Sequence, residues 1–72
     1  MDYYGVHGYG LLRAFGTLLS EGKEEPFTFS ELMEASDLGL FNLIDNIRIL
    51  KKAGIIETVD LGPREFGYRL VE

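Results

Sequence analysis

The sequence predicts an α+β domain: three helices followed by a two-stranded β-hairpin. Three observations carry the prediction. Apolar residues recur at helical spacing in three stretches between residues 10 and 53. Two β-rich stretches, "IIETVDL" and "FGYRLVE", flank the turn "GPRE". Gly or Pro stands at nearly every junction between these pieces. Seventy-two residues without an internal repeat make one domain over 1–72. A chain of this size buries only about 60% of its unfolded surface, so its core is thin and self-association would add to it.

The opening "MDYYGVHGYG" holds three Tyr and three Gly. Glycine at this density weakens a helix by about 1 kcal/mol per site relative to Ala, so 1–9 is expected to be irregular or frayed. From Gly10 onward Leu11, Leu12, Phe15, Leu18 and Leu19 form one helical stripe, and Gly22 lies where a C-terminal cap belongs. "KEEP" is a polar connector closed by Pro26. In "FTFSELMEAS", Ser30 is the expected N-cap, Glu31 suits the positive end of the helix dipole, and Phe29 is placed to staple back onto the helix. Leu32, Met33 and Ala35 form its buried side, and the helix ends near Ser36.

"DLG" is the turn, with Asp37 expected to cap the helix that follows. That third helix runs over about 40–53 and stops at Gly54, with Lys51 and Lys52 at the negative end of its dipole. Stretches 55–61 and 66–72 then read as the two strands of a hairpin.

Two helices joined by a short turn, the second longer, form a helix-turn-helix. A hairpin directly after them adds a wing. On "TFSELMEASDL", "LKKAGIIE" and "GPREFGYRLVE" the chain resembles the winged helix-turn-helix transcription regulators of the ArsR and MarR type, over roughly residues 11–72. The resemblance implies a homodimeric regulator that lays its third helix in the major groove of double-stranded DNA and rests its wing on the backbone.

With about 100° per residue, Leu40, Leu43, Ile47 and Leu50 cluster on the core side of the third helix. Phe41, Asp45, Arg48 and Lys52 fall opposite, with Asn42 and Ile49 beside them. Asn42 suits bidentate pairing with adenine, and Phe41 suits a thymine methyl. Arg48, Lys52 and the hairpin residue Arg64 suit phosphates, which fix register without reading sequence. Phe41, Asp45 and Ile49 depart from the resembling families, which tend to carry Ser, Thr and Arg there. A carboxylate in the groove repels phosphate unless it accepts from cytosine or pairs with Arg48 one turn on. Asn46 lies nearer the core flank. The bland reading makes both Asn residues a solvent-facing pair and Lys51 and Lys52 ordinary helix-end cations. The first helix and the Tyr-rich segment, with Tyr3, Tyr4, Tyr9, Leu12 and Phe15, are the expected dimer surface.

Charge opens a second reading. The net charge is −5, which works against DNA. Yet five of the seven cations lie in residues 37–72, so a local basic face is expected there. The alternative is a winged helix that binds protein within a larger nucleic-acid-processing or regulatory assembly, using the apolar, acid-bearing side of the third helix.

Other chemistry finds little footing. There is no Cys, and His7 is the only histidine, so no recognised metal pattern and no thiol nucleophile exist. Glu21, Glu24 and Glu25 are expected to be a solvated connector. No catalytic set, phosphate-cradling loop or cofactor motif is present. No apolar run approaches the roughly 20 residues of a membrane span, and no signal-peptide pattern opens the chain, so the expected location is the cytoplasm. Scarce Asn, absent Gln and Cys, and a Glu-rich surface lean towards a thermophile source, though a chain this short also reaches such counts by chance.

Overall fold

A computed structural model describes residues 8–72. In chain order the elements are α1 (Gly10–Ser20), β1 (Phe27–Thr28), α2 (Phe29–Ser36), α3 (Leu40–Lys52), β2 (Ile56–Gly62) and β3 (Glu65–Leu70). Three helices pack against one antiparallel sheet of order β1-β3-β2. The architecture is thus α+β with three helices, and the hairpin has gained a third strand.

That strand is only two residues long, too short to leave an alternation in the sequence. Phe27 pairs with Tyr68 and Thr28 with Gly67. Continuing this register puts Glu25 opposite Leu70. Pro26 interrupts the strand, and the Glu25 carboxylate Oε2 accepts the Leu70 N–H at 2.9 Å in place of a strand carbonyl. Glu25 is therefore half-buried and bonded through its side chain to β3, and the expectation of a wholly solvated acidic connector fails at this residue.

The helix ends follow from local chemistry. After α1, Gly22 (φ 86°) donates to the Leu19 carbonyl and Lys23 to Leu18, the paired bonds of a Schellman cap. Gly54 (φ 77°) closes α3 the same way, with Gly54 donating to Lys51 and Ile55 to Leu50. At α2 the cap is Thr28, two residues earlier than the expected Ser30. Its Oγ1 accepts the Glu31 N–H at 3.2 Å, and Glu31 Oε1 accepts the Thr28 N–H at 2.9 Å. "TFSE" is thus a capping box, which satisfies two backbone donors reciprocally. Asp37 does not cap α3. It closes α2 in the left-handed conformation (φ 59°), and Gly39 stands at the N-cap of α3.

Leu11, Ala14, Phe15 and Leu18 of α1 meet Phe27, Leu32, Leu43, Ile47, Leu50 and Ile56 in one core. Phe15 and Phe27 stack tilted at 59°, ring centres 5.6 Å apart, a favourable aromatic geometry. Leu40 lies outside this core at 46% exposure, and Asn46 takes the expected core place at 2%. No helix among the described residues is long and apolar enough to cross a membrane.

Candidate functional site

The outward side of α3 is set by what its inward side buries. Leu43, Asn46, Ile47 and Leu50 face the core. That turns Phe41, Asn42, Asp45, Arg48, Lys51 and Lys52 to solvent. Phe41 is 79% exposed, the largest value among the exposed large apolar residues. Ile49 is half-buried, so it is not the second exposed apolar group of this face. Leu40 and Ile44 are, at 46% and 45%. They lie on the flank of Phe41 and were missed because the wheel put Leu40 inside and passed over Ile44.

Asp45 and Arg48 pair at 2.7 Å, one turn apart, with most of both side chains in water. An exposed pair of this kind contributes only about 0.3–0.5 kcal/mol, but it neutralises the carboxylate and occupies Arg48. Among the described residues, the unpaired positive charge of α3 is therefore that of Lys51 and Lys52 in its last turn. The Asn42 carboxamide makes no hydrogen bond among the described residues.

The solvent-facing pair of asparagines is half wrong. Asn42 is exposed; Asn46 is buried and fully engaged. Asn46 Oδ1 accepts the Leu11 N–H of α1 at 3.3 Å, and its Nδ2 donates to the Asn42 carbonyl at 2.8 Å. Gly8 and Tyr9 continue α1 towards the N-terminus as π-helix, and a side chain from another helix meets it at the Leu11 N–H. Two glycines let α1 come that close. A Cβ on Gly8 would sit 2.8 Å from Leu50 Cδ2, and one on Gly10 would sit 3.1 Å from Leu38 Cδ2. Helix propensity alone treats these glycines as defects; Gly8 also holds a positive φ of 131° that other residues resist, and Gly10 leaves room for Leu38.

Arg64 stands exposed at the hairpin tip. Pro63 and Arg64 form the two-residue turn between the paired Gly62 and Glu65. Pro at the first and a left-handed residue (Arg64, φ 63°) at the second central place is a type II pattern. Leu61 falls in a register shift between Asp60 and Gly62. Lower on the sheet, Arg69 pairs with Glu57 beside Glu25 and Glu72, lining a depression of about 320 Å³. Its carboxylates Glu57 and Glu25 are already engaged, with Arg69 and the Leu70 amide.

Of the expected dimer residues, Tyr9 is 58% exposed and Leu12 half-buried on α1. Phe15 is 1% exposed in the core and is removed from that surface. Tyr3 and Tyr4 lie outside the described residues, as does His7. Among the described residues no cluster of three or more His, Cys, Asp or Glu could hold a metal ion. Comparison with family models, with curated proteins and with solved structures finds no match to this chain.

Proposed function

We propose that the chain is a winged helix-turn-helix DNA-binding regulator similar to the ArsR and MarR type. In this reading α2 and α3 are the helix-turn-helix and β2–β3 the wing. The α3 helix enters the major groove and the wing rests on phosphates. The observation that carries the reading is the orientation of α3. The side bearing Phe41, Asn42, Arg48 and Lys52 is free in solvent while the opposite side is buried. Within α3, three cations stand against one carboxylate in a chain of net charge −5. Asn42 reads adenine, Phe41 meets a thymine methyl, and Lys51, Lys52 and Arg64 hold phosphates. Arg48 joins them when its pair with Asp45 opens, or leaves Asp45 to accept from a cytosine amine. Two copies associate through α1, so that two α3 helices meet half-sites about 34 Å apart.

Gel-shift titration with promoter fragments of the source genome tests this reading. Arg64→Ala weakens binding to every duplex about equally. Asn42→Ala relaxes base preference at one position by about 1–3 kcal/mol. Absence of any binding by the wild-type protein at low salt removes the proposal.

A protein-binding winged helix is the second reading. The contiguous exposure of Leu40, Phe41 and Ile44 favours it, because large apolar groups on a monomer surface mark contacts. Under that reading Phe41→Ala abolishes capture of a partner and Arg64→Ala does not.

A further inference from the structure

The contacts of Asn46 carry an inference that rests on, and deepens, the DNA-binding reading. Asn46 is the buried polar side chain of the described residues, 2% exposed amid Leu11, Leu43, Ile47 and Leu50. Apolar contacts around it are non-directional and tolerate a small turn of α3 about its own axis. Hydrogen bonds do not, because they weaken steeply with angle. Asn46 Oδ1 spans the two helices to the Leu11 N–H in the first turn of α1, while its Nδ2 braces the side chain on α3 itself, at the Asn42 carbonyl one turn earlier. Asn42 is itself the residue assigned to base contact. The flush seating of Gly8 against Leu50 and Gly10 against Leu38 holds the α1 end of this link.

We infer that Asn46 is a positioning residue: it sets the rotational phase of α3 against α1, and so decides which way the Phe41–Asn42 side points, without touching DNA. Geometry gives the scale. Side-chain tips lie about 5–6 Å from a helix axis. A turn of about 20° therefore moves them by about 2 Å, more than a bidentate hydrogen bond to a base survives. Phosphate contacts from flexible Lys51, Lys52 and Arg64 absorb the same movement. Loss of Asn46 thus separates base preference from general affinity. The link also makes the N-terminal end of α1 a place from which the outward face of α3 is steered.

The test is Asn46→Leu, which keeps apolar bulk and removes the bonds to Leu11 and Asn42. Amide exchange, residual dipolar couplings and duplex binding are measured against wild type. Exchange at Leu11 rises about fivefold, since a net bond of about 1 kcal/mol is lost. The couplings report a rotated α3. The affinity ratio of preferred over scrambled duplex falls about tenfold, while the salt slope stays unchanged. Faster Leu11 exchange with an unrotated α3 and an intact ratio overturns the inference. If Asn46→Leu does not fold, Asn46→Ser is read in its place; its hydroxyl still reaches the Asn42 carbonyl but is too short for Leu11, and the same outcomes decide. If the wild-type protein binds no duplex, the DNA reading fails by itself. The couplings then judge the positioning role alone: a rotated α3 upholds it and an unrotated one overturns it.

Discussion

Among the described residues six backbone N–H groups are met by side chains: Leu11 by Asn46, Thr28 by Glu31, Glu31 by Thr28, Leu38 by Ser36, Gly62 by Asp60 and Leu70 by Glu25. Each such bond contributes about 1 kcal/mol, and stranding a buried donor costs about 1–3 kcal/mol. In a thin core these few bonds weigh heavily, since total stability is about 5–15 kcal/mol. Glycines act at the same scale with opposite signs. A Cβ on Gly67 would lie 2.9 Å from Pro26 Cβ and 3.0 Å from Leu61 Cδ1. The Pro26 ring is rigid, so Gly67→Ala destabilises by about 1–3 kcal/mol through overpacking. Gly16 in α1 has no atom within 4 Å of its Cβ position. Gly16→Ala therefore stabilises by about 0.5–1 kcal/mol through helix propensity. Thermal melts of the two variants shift Tm in opposite directions; a shared direction contradicts this packing.

At the scale of elements, α1 has two sides. One holds Leu11, Ala14, Phe15 and Leu18 in the core. A flanking stripe carries Tyr9, Leu12 and Leu19 at three- and seven-residue steps with no charge among them, the spacing of a helix–helix seam, with Leu12 also packed against the core. Sedimentation equilibrium is expected to give twice the 8.1 kDa chain mass. Leu19→Glu, at a position 42% exposed, restores the single-chain mass by placing two carboxylates in the seam. A wild-type monomer at the concentrations of the binding assay contradicts the pairing. Much of each element was legible before the structure. The helical stripes, the caps Gly22 and Gly54 and the turn at Pro63–Arg64 all rest on local rules. What escaped was non-local or too brief for a period. β1 has two residues. Thr28 hid behind Ser30, although "TFSE" spelled the capping box. Leu40 and Asn46 exchanged roles because a wheel gives an angle, not the partner that makes a buried carboxamide affordable. The outward positions of Phe41, Asn42, Asp45, Arg48 and Lys52 were legible for the same reason: they depend on angle alone.

The whole molecule sets electrostatics against topology. A net charge of −5 repels a polyanion at long range, so under the proposed DNA-binding function affinity rests on cations held close to phosphate. Lys51, Lys52 and Arg64 are three such groups per chain, with Arg48 tied to Asp45. The proposal that α3 and the β2–β3 hairpin form a surface for DNA is tested most directly by a salt titration of binding to random duplex. Each phosphate engaged on duplex DNA contributes about −0.9 to the slope of log affinity against log salt. Three per chain predict about −2.7, doubled in a dimer, and Arg64→Ala lowers the magnitude by about 0.9 per chain. No measurable binding at low salt, or a slope near zero that Arg64→Ala leaves unchanged, would contradict the account.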